Sequence, residues 1–306
     1  MMGINIREEN ILVRMEQPGS VHQLAVFRIL LGLQIIYSSS GKIFQYVLQV
    51  PDISNTKNIF PLWLNQWVDA IAVPYLQPVT QILGIFLVLG LFTRYILPIL
   101  FISFVLLFSF YFSRHNAPHP WLYIWFPLLL LNFTKSSDAL SLDKLFSFIK
   151  PLHDASSKVY RWPIEMIAAW LAYIYVAAGM AKILPIYKGW HWLDGGTSQD
   201  MMYHRFLYSM DFYLFKHSFF DYSQNQWIFI VLSIASIGIE FFCIMIFFTR
   251  RCHIGIFILL MVMHFFLYLT GVLGFMQLAL ILSLSLIHPV FFEKLFTTQK
   301  LKTTSV

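Results

Sequence analysis

Eight apolar stretches, at about 23–48, 77–93, 95–113, 120–134, 162–183, 226–249, 252–270 and 274–292, constrain this chain more than any motif in it. A helix needs about 20 mainly apolar residues to cross the hydrocarbon core of a bilayer. Most of the stretches reach that length, and the fourth is short if it starts at Pro120. Hydrophobic residues make up 58% of the sequence and charged residues 12%, where soluble domains carry about 25% charged residues. The expected fold class is all-α: a polytopic transmembrane helical bundle with about eight spanning helices plus interfacial helices.

The interfacial helices are expected in two aromatic stretches. "FPLWLNQWVDAIAVPYL" at 60–76 carries two prolines, and "YHRFLYSMDFYLFKHSFFDYSQN" at 203–225 mixes aromatics with charge. Both read as segments lying in the headgroup layer. Lysine and arginine orient the whole. With the N-terminus inside, the inner segments hold thirteen of them and the outer segments six, while Arg28 and Lys42 fall within the first stretch. That bias predicts an integral membrane protein with both termini cytoplasmic. The net charge of +6 is then a matter of topology and does not point to nucleic acid. The division is a cytoplasmic segment at 1–20, one transmembrane domain at 21–292 and a basic cytoplasmic tail at 293–306, expected to fray. A polar linker at 135–161 separates two four-helix halves of that single domain. No cleavable signal peptide is expected, because the first apolar stretch is long and no small-residue site follows it.

Several function classes are excluded. Cys243 and Cys252 have neither disulfide-framework nor zinc spacing. There is no glycine-rich nucleotide loop, no His-Glu-x-x-His, no serine-hydrolase elbow and no carboxylate pair at glycosidase spacing. No metal site is expected.

Ionisable residues within apolar stretches are destabilising unless paired or wet, so each is a candidate for function. Lys182 closes the fifth stretch in "VAAGMAKILPIYKGWHWLDG", 176–195. It is either a snorkelling interfacial lysine or an amine held in a partly apolar pocket, able to lose its proton and act as a base. The small residues before it allow another helix or a ligand to approach closely. His119, between two prolines, is a headgroup-level loop histidine or an acid, base or hydrogen-bond donor on a stiff turn. His264 lies inside the seventh stretch, as a structural hydrogen-bonding group or a site residue. His115 and His191 read as interfacial, and Lys188 and Asp194 join the same outer group. Glu240 is expected to pair with Arg28 of the first stretch or to be protonated. Asp138 and Asp143 are expected to cap a short amphipathic helix.

Four stretches in order resemble the horizontally transferred transmembrane domain, the membrane part of vitamin K-dependent gamma-carboxylase. They are "LAVFRILLGLQIIYSS" at 24–39, "PHPWLYIWFPLLLLNF" at 118–133, residues 176–195 and "HFFLYLTGVLGF" at 264–275, with "IFPLWL" at 59–64 as a further counterpart. The similarity spans about 21–292. It implies a lysine base acting on a reduced, vitamin K-like quinone with oxygen; the strong base so formed removes the γ-proton of a glutamate side chain, to which CO2 adds. The family's Gly-x-x-Lys element falls on "GMAK", which puts the base on Lys182, and the histidine before x-x-Leu-Tyr falls on His119. Arg205, across a short gap, matches a further basic residue, and His264 with Gly274 matches the remaining cofactor-side positions. Pro118 stands where the family has asparagine, and extra residues separate Lys182 from Trp192. The implied partners are membrane lipid, a quinone and a peptide or protein substrate on the extracytoplasmic side; the compact single-domain form points to a bacterial inner membrane. Short bacterial members include a sporulation-delaying protein B type, linked to maturing a secreted peptide, which is the alternative to an enzyme.

Overall fold

The structure, a computed structural model, describes residues 10–40, 71–114, 119–146, 157–184, 192–205, 225–269 and 275–303, with Pro61, Trp63, Gln66 and Trp67. The side chains at 72–73, 110–114, 119–122, 201–205, 268–269, 275–276 and 297–303 lie outside that description. Among the described residues there is no strand. The helices are α1 (Ile11–Met15), α2 (Val21–Ser38), α3 (Gln77–Leu89), α4 (Thr93–Arg114), α5 (His119–Leu131), α6 (Leu142–Leu145), α7 (Arg161–Ile183), α8 (Gly196–Arg205), α9 (Gln226–Phe242), α10 (Met245–Phe248), α11 (His253–Leu269), α12 (Phe275–Ser283) and α13 (Pro289–Thr303).

Three described segments are long and apolar enough to cross a membrane: Val21–Ser38, Lys158–Ile183 and Gln226–Phe248. Pro74–Leu89, Thr93–Ser109 and His253–Leu267 are apolar but shorter. The eighth apolar stretch is not one helix. It leaves helical geometry at Ile287, whose ψ is 141°, and Pro289 begins α13. Proline disfavours the helical region for the residue before it and suits the first turn of a helix, which agrees with a break just ahead of Pro289, although Pro98 and Pro127 sit inside continuous helices. Of the expected interfacial stretch at 60–76, most of 60–70 lies outside the described residues. Its described end, Ala72–Leu76, is a π-helical turn that runs directly into α3. Residues 206–224 of the second such stretch lie outside the described residues.

The surface of these helices is lipid-like. Ile82, Ile85, Ile99, Ile102, Val231, Ile234, Ile258 and Val262 are each about half exposed, whereas Arg14, Arg28, Arg161, Asp143, Glu165, Glu240 and His264 are buried. Bare aliphatic faces around a partnered polar interior suit hydrocarbon as the solvent.

The chain divides into two compact units. One comprises 16–164 and 288–306. Ser20 caps α2 by accepting from the Gln23 amide at 3.2 Å. At Gly32 a Cβ would lie 2.8 Å from Val88 Cγ2, so the glycine lets α2 and α3 cross at short range. The polar linker is tightly used. Arg28, fully buried, donates to the carbonyls of Ser136 at 3.0 Å and Leu140 at 2.5 Å. Asp143 caps a different helix from the one expected: its carboxylate accepts from the amides of Phe92 at 2.6 Å and Thr93 at 2.9 Å and from the Thr93 hydroxyl at 2.9 Å, at the start of α4. The short helix α6 is capped by Ser141 instead, and Asp138 accepts from the Tyr160 hydroxyl at 2.6 Å. The basic tail, expected to fray, is helical to Thr303. It is fastened to α2 where Ser20 donates to Glu293 and the His22 ring stacks on Phe296 at 4.8 Å.

The other unit comprises 1–15 and 165–287. Its N-terminal helix is held by Arg14, which donates to Glu165 at 3.0 Å and to the Ile246 carbonyl at 2.6 Å, both charged side chains being fully out of solvent. Helix α8 is attached to α9 through Ser198, whose hydroxyl meets that of Ser233 at 2.7 Å.

Candidate functional site

Tyr175, Gly179 and Lys182 recur at intervals of four and three along α7 and so share one face. Glycine at 179 brings α9 against that face: a Cβ there would lie 3.3 Å from Glu240 Cβ and 3.3 Å from a ring carbon of Phe241. The close approach puts Lys182 within reach of two α9 side chains one turn apart. Its Nζ donates to Glu240 Oε1 at 2.5 Å and to Ser236 Oγ at 3.0 Å, and it sits 4.6 Å from the centre of the Trp192 ring. Only 13% of the Lys182 side chain and 6% of the Glu240 side chain is exposed, so water does little to screen the pair.

The polar seam continues onto α11. Ser236 donates to Met263 Sδ at 3.8 Å. The next residue, His264, is bound through Nε2 to the Tyr175 hydroxyl at 2.5 Å, and the two rings meet edge to face at 5.8 Å. Lys182 is within electrostatic range of His264. One face of α7 therefore carries two buried polar pairs, Lys182 with Glu240 and Tyr175 with His264. An amine, a carboxylate, a phenol and an imidazole together can hold and move protons in surroundings that are otherwise apolar.

Of the residues singled out from the sequence, Lys182 and His264 lie in this cluster. His119 is the first residue of α5 and Arg205 the last of α8, their side chains outside the description. Gly274, His115, Lys188 and His191 lie outside the described residues. Asp194 accepts from the Gly196 amide at 2.9 Å and so starts α8. The expected partner of Glu240 is corrected: its carboxylate is taken by Lys182, while Arg28 is occupied by backbone carbonyls. Tyr175, Ser236 and Trp192 were not singled out as site residues, and Glu240 was read as a structural partner. The spacing of seven between Tyr175 and Lys182, and of four between Ser236 and Glu240, was available as a signal. What the sequence lacked was the pairing of helices.

A family model described as the HTTM domain matches residues 16–289. No curated protein and no solved structure matches the chain. With that model covering most of its length, the chain belongs to the HTTM domain family, whose domain is the membrane part of vitamin K-dependent carboxylase-type proteins.

Proposed function

We propose that this is a quinone-linked, carboxylase-like membrane protein in which Lys182 is the base. In this proposal about eight helices span a bacterial inner membrane with both termini cytoplasmic, so that the Lys182 end of α7 faces outward. The observation that carries it is the buried Lys182–Glu240 pair at 2.5 Å. An ammonium in water is a poor base at neutral pH. In hydrocarbon surroundings the ion pair has to offset the desolvation of two charges. Passing the proton from Nζ to Glu240 removes both charges and leaves a free amine already oriented by Ser236 and Trp192. The amine can then take up the proton of a ligand hydroxyl through the carboxyl group of Glu240, one proton entering at Oε2 as another returns from Oε1 to Nζ.

The residues present fit a reduced quinone. Glu240 Oε2 is buried and no described residue donates to it, which leaves an acceptor for a hydroxyl, and Trp192, Met263 and Phe241 lie against the Lys182–Ser236–Glu240 group. Such a ligand, with oxygen, would supply the strong base needed to form a carbon nucleophile that captures CO2. The chain's own contribution is confined to binding, orienting and moving protons, between Nζ and Glu240 and from the ligand hydroxyl to that pair. By resemblance His119, Arg205 and Gly274 would contribute on the ligand side, with His264 held in place by Tyr175.

The test is epoxide formation from a reduced naphthoquinone by the purified protein, wild type against Lys182→Ala. Loss of a general base lowers turnover by about 10²–10⁴-fold; equal turnover in the two proteins removes Lys182 from the chemistry. A second reading is favoured by the completeness of the ion pair itself, which explains a buried lysine without any reaction. In that case the bundle binds or helps to mature a secreted peptide, in the manner of a sporulation-delaying protein B. No quinone turnover in the wild type, together with retention of a peptide, would decide for it.

A further inference from the structure

Glu240 uses one of its two oxygens on the residues around it. Oε1 receives Lys182, whereas Oε2 is buried with no donor among the described residues. A carboxylate offers about four acceptor positions, and a buried acceptor left unfilled is destabilising. The nearby donors are committed elsewhere. Lys182 directs two hydrogens to Glu240 Oε1 and Ser236 Oγ and faces the Trp192 ring. The Ser236 hydrogen goes to Met263. The Cys243 thiol donates to the Ile239 carbonyl, and Gly179 packs against the Glu240 Cβ and the Phe241 ring. Whatever completes Oε2 must be a hydrogen-bond donor. It must also be uncharged, because the Lys182–Glu240 pair is already neutral as a whole, and apolar beyond the donating group.

We propose that Glu240 is the specificity-determining residue of this site: Oε1 holds the Lys182 amine, and Oε2 accepts the hydroxyl hydrogen of the ligand, so that a reduced, hydroxyl-bearing ring is taken and its oxidised, carbonyl-bearing form is refused. For the ligand class the proposal rests on the function proposed above; the role of Glu240 is new to it. A ring carbonyl has no hydrogen to give and would set its lone pairs against those of Oε2. Sites built to pair with a hydroxyl discriminate strongly against analogues lacking it, because their own buried group is then left unpaired.

The experiment is equilibrium dialysis under nitrogen of the full-length protein in detergent micelles, with empty micelles as the reference. The two probes are 2,3-dimethyl-1,4-dihydroxynaphthalene and 2,3-dimethyl-1,4-naphthoquinone, whose blocked ring positions do not alkylate Cys252. Wild type is expected to bind the dihydroxy form at least about tenfold more tightly. In Glu240→Gln the ratio should fall to about one or below, because Lys182 keeps the amide oxygen and the NH2 turned to the ligand donates to a carbonyl and cannot accept from a hydroxyl. Glu240→Asp, with its charge one methylene further back, should lose about fivefold or more in affinity for the dihydroxy form and leave the carbonyl form unchanged. Equal binding of both forms by wild type overturns this proposal and leaves the ligand class standing, as does an unchanged ratio in Glu240→Gln. Binding of neither form overturns both.

Discussion

Replacing Lys182 by methionine separates what the buried pair does for the fold from what it does for chemistry. The substitution keeps the side chain as far as the Cε position and removes two charge-assisted hydrogen bonds, at 2.5 Å to Glu240 and 3.0 Å to Ser236. Each such bond contributes about 1.5–3 kcal/mol. The larger effect falls on Glu240, whose side chain is 6% exposed and is left without its cation. Breaking a buried pair from one side destabilises by about 3–5 kcal/mol, whereas replacing both partners with apolar groups of similar volume is often neutral. Lys182→Met is therefore expected to destabilise by about 3–5 kcal/mol and the double variant Lys182→Met, Glu240→Leu by no more than about 1 kcal/mol. Glu240→Leu alone should fall between them, at about 2 kcal/mol, because the lysine sits one residue from the end of α7 and its ammonium can reach toward the interface. The assay is reversible unfolding in mixed micelles with rising dodecyl sulfate, followed by helical circular dichroism, with the coupling energy taken from the cycle of four proteins. Small and additive single effects, with a double variant no better than their sum, would refute the desolvated pair. A double variant that is folded but inactive is the result expected if the amine is also the base.

Arg14→Met leaves Glu165 buried at 1% exposure and releases α1 from the Ile246 carbonyl; a loss of about 3–5 kcal/mol is expected in the same unfolding assay. Asp143→Ala removes three hydrogen bonds from the start of α4 and should destabilise by about 2 kcal/mol, with Asp143→Asn recovering roughly half. Tyr175→Phe deletes one hydrogen bond to His264 at about 1 kcal/mol of stability. If His264 takes part in the reaction proposed above, the same variant should lower quinone turnover well beyond that loss. A turnover equal to wild type would leave His264 a structural residue.

Helix positions were readable from the sequence because apolar runs of the right length have few alternatives in a bilayer. The stretches at 77–93, 95–113 and 162–183 appear as α3, α4 and α7 within a few residues. Where local chemistry opposed the apolar run, the run alone misled. The stretch at 274–292 is divided before Pro289, and a proline's effect on the preceding residue is local information that hydropathy does not weigh. Capping shows the opposite limit. Asp143 stands beside a short helix in sequence but serves one that begins fifty residues earlier, because a carboxylate goes to whichever unsatisfied amides lie nearest in space.

For the candidate site the sequence by itself determined that Glu240 and His264 sit inside apolar stretches and need a partner or a neutral form, while Lys182, at the end of one, could also have snorkelled to the interface. Solvation dictates this, since a bare charge in hydrocarbon is unstable wherever the helix packs. Partner identity was decided only by the tertiary structure. Glycine at 179 sets the distance between α7 and α9, and that distance selects Lys182 for Glu240 and leaves Arg28 to the carbonyls of Ser136 and Leu140. Long side chains of like charge are interchangeable on a sequence. Helix packing at contact distance is what makes one of them a neighbour.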